Sequence, residues 1–274
     1  MRAVQVVCGL VVLLSPAAQA SGLERLVPHR AVYEVTLDEA SERSGISGIK
    51  GRMVYESRGA ACDGFSVRFR FFQNVRTPRR EYSSDQRTTS FESGDGKRYE
   101  FVNRTFFNGS LEREVKGSAV RGDAGVAVAL TQPDERAVEL PAAIFPGEHM
   151  GRILEAAVKG RRVLATDVFD GSDEGDAVTA TNAIIGRPRE PQTTGKASDG
   201  VGTALGGLTS WPVTVAYFEG AADASGERTP VYQVSFPLYE NGVSGDLTMR
   251  YEDYTLKGEL SALEYLDPPD CAPR

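Results

Sequence analysis

Phe65-Ser66-Val67-Arg68-Phe69-Arg70-Phe71 places four large apolar side chains on one side of an extended chain and Ser66, Arg68 and Arg70 on the other. Successive side chains of a strand point to opposite faces, so a period of two marks a strand with one buried face. The pattern continues in both directions. Upstream, Ala31, Tyr33, Val35 and Leu37 alternate with Val32, Glu34 and Thr36, and 51–55 follows after a Gly- and Ser-bearing turn. Downstream, β-like runs fall at 86–92, 98–104, 111–115, 126–130, 163–169, 177–185, 213–218, 231–238, 245–251 and 258–265. Asp95-Gly96, Asn108-Gly109, Asp170-Gly171 and Asn241-Gly242 punctuate them as turn signals. The expected fold is all-β, a long and mainly antiparallel meander.

One stretch breaks this period. Met150, Ile153, Leu154, Ala157 and Val158 recur at helical spacing, with Pro146 suited to a first turn, Glu148 near the positive dipole end and Gly160 as a stop. This predicts an amphipathic helix over 146–159 that packs on the sheet or plugs a barrel. Residues 187–210 hold five glycines and two prolines and read as a flexible loop.

The first 20 residues read as an address. Arg2 precedes an apolar run over 4–14, Pro16 breaks it, and Ala18-Gln19-Ala20 offers small residues to a signal peptidase. The run is shorter than the roughly 20 residues a bilayer span needs. The expectation is a cleaved signal peptide at 1–20 and a mature, exported domain over 21–274 with no transmembrane segment. Two cysteines, Cys62 and Cys271, then remain in an oxidising compartment, where pairing is expected and two buried free thiols are the alternative.

The function classes are narrowed by what is scarce. A net charge of −7 disfavours nucleic acid, which needs clustered surplus Lys and Arg. The only histidines are His29 and His149, each read as a peripheral or capping residue and not as a base. Gly45-Ile46-Ser47-Gly48 and Gly242-Val243-Ser244-Gly245 lack the spacing of a nucleophile elbow, and no phosphate-binding loop is present. The acidic stretch 170–176 carries Gly175 at the sixth position of a calcium-loop register but Thr181 at the twelfth, so it reads as a solvated turn. No catalytic, cofactor or metal residue is therefore assigned. Phe65, Phe69, Phe71, Tyr217, Tyr232, Phe236 and Tyr239 can line an apolar groove or form part of a packed core.

Several motifs together resemble a known family. They are Pro28-His-Arg-Ala-Val-Tyr-Glu-Val-Thr-Leu37, Gly51-Arg-Met-Val-Tyr55, Cys62-Asp-Gly64, Phe145-Pro-Gly-Glu-His149, Asp170-Gly-Ser-Asp173, Trp211-Pro-Val213 and Phe236-Pro-Leu-Tyr-Glu-Asn-Gly-Val-Ser244. The chain resembles the EipB family of periplasmic cell-envelope integrity proteins over nearly its whole exported length. That resemblance implies a single spiral, barrel-like sheet in the periplasm of a Gram-negative bacterium and a disulfide at Cys62 and Cys271. It also implies a role in the envelope under stress and a link to a periplasmic tetratricopeptide-repeat protein. The expected function is non-enzymatic binding of a periplasmic protein or envelope component. The alternative is a lipid or lipoprotein carrier of the LolA-like half-barrel type.

Overall fold

The alternating runs form fourteen antiparallel strands in the computed structural model, which describes residues 22–172, 174–191, 200–219 and 228–271. The first eight are β1 (His29–Ala40), β2 (Gly48–Ala60), β3 (Gly64–Arg76), β4 (Glu81–Glu92), β5 (Arg98–Phe107), β6 (Ser110–Gly122), β7 (Gly125–Gln132) and β8 (Arg136–Leu140). The helix α1 (Pro146–Val158) follows. Then come β9 (Val163–Val168), β10 (Thr179–Ile185), β11 (Ser210–Phe218), β12 (Tyr232–Tyr239), β13 (Leu247–Arg250) and β14 (Tyr254–Tyr265). Thirteen of these coincide with runs read from the sequence. The remaining one, β8, is a five-residue segment that the periodicity did not resolve.

A single sheet contains them all, in the order β8-β7-β6-β5-β4-β3-β2-β1-β14-β13-β12-β11-β10-β9. Two meanders thus run outward from a central β1–β14 pair, where His29 lies opposite Tyr265 and Ala40 opposite Tyr254. The helix links the two outermost strands, and the segment between β8 and the helix reaches the far edge: Ile144 forms a parallel bridge with Val168 of β9. Its N–H donates to Asp167 O at 3.0 Å, and its carbonyl accepts from Phe169 N at 2.9 Å. A sheet whose last strand is bridged by the chain just past its first is rolled, and the bridge covers part of an edge that would otherwise invite aggregation.

Rolling also explains why α1 is buried on more than one stripe. Ile153, Leu154 and Ala156 have no exposed surface, and Glu148, His149 and Gly151 are buried with them. The helix therefore fills the interior instead of lying on a flat face, and only Val158, at its end, departs from the expected stripe by being exposed. Its Ile153 and Leu154 join a large core with Tyr33, Phe71, Trp211 and Leu256. A second core collects Tyr99, Phe101, Val115 and Val128 from β5–β7 around Phe145 and Phe169. Gly171 seats the loop after β9 on this second core. It has φ +68°, and a Cβ there would strike the Phe101 ring at 2.4 Å.

One expectation needs adjustment. The stretch 187–210 is not all loop, because α2 (Gly200–Leu205) lies within it, its Leu205 is buried, and Tyr265 Oη donates to Ala204 O at 3.1 Å. Residues 192–199 lie outside the described set, as do the proposed signal peptide and its cleavage site. No helix among the described residues is long and apolar enough to cross a membrane.

Candidate functional site: an amphipathic interior cavity

Between the two cores the rolled sheet leaves a cavity of about 600 Å³. Strand register decides what faces it. Tyr55, Phe69, Thr88, Asn103 and Val115 lie opposite one another across β2 to β6, so they share one face, and that face is inward. One wall, from β1–β3, is mainly apolar: Tyr33, Met53, Phe65, Val67 and Phe69, with His29, Tyr55 and Ser57 among them. Beside it on the same sheet face lies β4, whose inward residues are Gln86, Thr88, Ser90 and Glu92, continued on β5 by Asn103 and Thr105. Exposure falls along β4 from an exposed Gln86, through half-buried Thr88 and Ser90, to a buried Glu92. The cavity therefore deepens from Gln86 towards Glu92.

Glu92 closes its inner end. Its Oε2 accepts from Gly147 N at 2.6 Å and its Oε1 from Glu148 N at 2.9 Å, so a carboxylate from β4 caps α1 across 55 and 56 residues of sequence. The first N–H groups of a helix lack intrahelical partners, and Phe145 at the cap position offers none from its side chain. Gly147 is required for this contact, since a Cβ there would lie 2.7 Å from Glu92 Oε2. Burial pushes the Glu92 carboxyl up to about 7, aided by the neighbouring Glu148 and opposed by the two N–H donors. Glu148 is itself held by Arg121 and Arg152, each at 2.5 Å.

Both histidines line the cavity, and neither is the peripheral residue expected. His149 is only 6% exposed because α1 lies inside the roll. Its Nε2 is 3.1 Å from Thr181 Oγ1, and the Thr181 hydroxyl donates its one proton to Thr166 O at 2.7 Å. Thr181 must then accept, so His149 donates from Nε2. Burial, with the nearby Arg152 charge, lowers its pKa to about 4, leaving the ring neutral at neutral pH. His29 donates from Nδ1 to Val27 O at 2.8 Å, sits 5.3 Å from the Tyr55 ring, and is also pushed down by burial.

These bonds bear on reactivity. A base must take a proton from its nucleophile, whereas His149 gives one to Thr181. The two described cysteines are joined: Cys62 and Cys271 form a disulfide with Cα atoms 6.0 Å apart. The acidic stretch is divided among separate tasks. Asp170 Oδ1 accepts from Ser172 N, Asp176 pairs with Arg136 at 2.9 Å, and Glu174 lies 3.9 Å from Arg113. Among the described residues no three His, Cys, Asp or Glu side chains converge as metal ligands.

Of the seven aromatics proposed for a groove, Phe65, Phe69 and Tyr217 line the cavity. Phe71 and Phe236 are in the large core, and Tyr232 and Tyr239 pack against it. Their separation follows from strand position: Phe71 shares a face with Phe69 but lies beyond the cavity. Glu92 and the β4 row were not singled out from sequence. The available signal was Ser84, Gln86, Thr88 and Ser90 at alternate positions of a central strand, where a packed interior calls for apolar residues.

A rolled antiparallel sheet around a buried helix, with an interior cavity of mixed character, defines a barrel-like protein. The EipB-like family model matches residues 20–267, and the chain belongs to that family. It is 42% identical over 260 residues to the cell envelope integrity protein EipB of Brucella abortus (strain 2308), covering 92% of this chain and 88% of the relative. The crystal structure of a beta-barrel-like protein of a domain of unknown function from Brucella abortus is similar at TM-score 0.80 and 39% identity. That match covers 89% of this chain and 99% of the other.

Proposed function

We propose that the protein is a non-enzymatic periplasmic factor that maintains the cell envelope under stress by binding an envelope component in the interior cavity. The observation that supports binding is the cavity itself, about 600 Å³ and lined by one apolar and one hydrogen-bonding wall. Ligand sites are commonly concave, mainly apolar and provided with a few placed polar groups. The absence of catalysis is supported by the direction of the His149–Thr181 hydrogen bond and the consumption of both cysteines in a disulfide. The family name supports the envelope role, and the apolar run over 4–14 supports export. A tetratricopeptide-repeat partner in the periplasm fits the same reading as the protein to which a loaded barrel reports.

A second reading is a lipid or lipoprotein carrier of the LolA-like type, favoured by the apolar wall from Tyr33 to Phe69. The test of the envelope role is a deletion strain. It should grow normally in benign medium and become sensitive to detergents, bile-like amphiphiles or cell-wall antibiotics. The full chain should restore resistance, and the same chain without residues 2–20 should not. A strain with intact resistance that accumulates an unprocessed small molecule would replace this reading with an enzymatic one.

A further inference from the structure

The two cavity walls together discriminate between ligand chemistries. Along β4 the inward row from Gln86 to Glu92 runs for roughly 20 Å at the usual strand rise. Gln86, Thr88 and, beside them on β5, Thr105 line the cavity, and their side chains form no hydrogen bond with any described residue. They are not sealed off, since Gln73 Oε1 is the buried side-chain polar atom without a partner among the described residues. Their hydroxyl and amide groups are therefore available to whatever fills the space. A hydrocarbon chain lying against this row would strip water from them and return no hydrogen bond.

The neighbouring part of the lining, on β1–β3, has the complementary property. Met53, Val67 and Phe69 offer apolar surface with no polar atom, and Tyr33 has committed its hydroxyl to Ser244 O at 2.8 Å. Both histidines are neutral, and each has one ring nitrogen engaged, Nδ1 of His29 by Val27 and Nε2 of His149 by Thr181. Each then keeps its other nitrogen as an acceptor. Recognition inside the cavity thus draws on the donors and acceptors of β4 and β5, with Arg113 of β6 beyond Thr105, and on the aromatic and aliphatic surface of β1–β3 beside them.

Resting on the cavity-binding reading above, we infer that the ligand is a saccharide chain bearing acetamido groups, lying across the inner sheet face with its rings on Phe69 and its rim towards the β4 row beside it. A pyranose ring has an apolar C–H face and a rim of hydroxyls, which fits a site with one wall of each kind. An acetamido substituent adds a methyl group for the apolar wall. It also adds one donor and one acceptor, which the Gln86 amide can meet with both of its own groups.

The experiment uses the purified full exported chain, with N,N′-diacetylchitobiose as the saccharide probe and cis-parinaric acid as the acyl probe. Calorimetry should show saturable binding of the disaccharide, weakened about tenfold in a Gln86→Leu, Thr88→Val variant, while the fatty acid shows no fluorescence enhancement. These substitutions keep side-chain bulk close to the original, and an unchanged melting temperature verifies that the variant is folded. Fatty-acid binding without disaccharide binding would overturn the saccharide assignment and leave the cavity reading standing as a lipid carrier. Equal disaccharide affinity in both proteins would place that binding elsewhere and overturn the assignment. Binding of neither probe would reject the saccharide and count against the cavity as a ligand site.

Discussion

Glu92 meets opposing demands at one carboxyl group. Two helix N–H donors favour its charged form, while burial to 4% exposure and the adjacent Glu148 favour the neutral one, and its pKa of about 7 says that burial prevails. An acid whose folded pKa is raised contributes stability in full below its ordinary value of 4.5, and that contribution is lost as the pH rises through about 7. His149 has the opposite sign. Its pKa is lowered from 6.5 to about 4, so its contribution is present above 6.5 and lost as the pH falls through about 4. The two oppose each other between 4.5 and 6.5, and above 6.5 the histidines, His29 included, still add to the slope a declining contribution that is the same in any Glu92 variant. Relative to Glu92→Gln, which keeps one acceptor for the helix and cannot ionise, wild-type protein should therefore lose about 1 kcal/mol between pH 6.5 and 8, a difference of a few degrees in melting temperature. Calorimetric scans across the interval check this, and equal slopes in the two proteins would remove Glu92 as the source.

At the scale of elements, α1 and β4 behave differently under the same sequence rules. The spacing of Ile153, Leu154 and Ala157 announced the helix, because a 3.6-residue period survives whatever the helix packs against. Its depth was not legible: a stripe shows that one face is buried, and only the meeting of Ile144 with Val168 shows that the sheet rolls around the rest. His149 was misread for that reason, since a residue near a helix start is exposed on a flat sheet and enclosed in a rolled one. β4 was legible as a strand, but its polar inner row acquires meaning only once Phe69 is found opposite Thr88. The Glu92 cap was beyond reach, because its partners lie 55 and 56 residues away and depend on a loop path that no local pattern encodes. The same geometry ranks two substitutions. Ile153→Asp forces an unpaired charge into the large core at several kcal/mol and should abolish the cooperative urea transition. His149→Ala removes the donor to Thr181 and leaves a small void, so it should fold but lose about 1–3 kcal/mol. Urea titration of both proteins decides the order.

Across the whole molecule, two closures hold the roll, and they differ in kind. The Ile144–Val168 bridge joins β9 to the segment just past β8 through two backbone hydrogen bonds, which form only when both meanders are already in place. The disulfide joins the β2–β3 turn at Cys62 to the tail beyond β14 at Cys271, over a sequence separation of 209 residues. Both cysteines are exposed, and Asp267-Pro268-Pro269 between β14 and Cys271 is in no regular structure, so the bond adds little packing of its own. Its effect falls mainly on the unfolded chain, where closing so long a loop removes up to about 5 kcal/mol of conformational entropy in the chain-entropy model. Residual structure in the unfolded state reduces that figure, since β1–β3 and β13–β14 are local meanders able to persist transiently. Cys62→Ser should therefore lower the melting temperature by several degrees without altering the native far-ultraviolet spectrum. Reductant should lower the wild type to the same midpoint and leave the variant unmoved. A midpoint that is the same in wild type, reduced wild type and variant would mean that the β1–β14 pairing alone fixes the tail. The roll would then owe its closure to the sheet and to α1, with the covalent bond contributing nothing measurable.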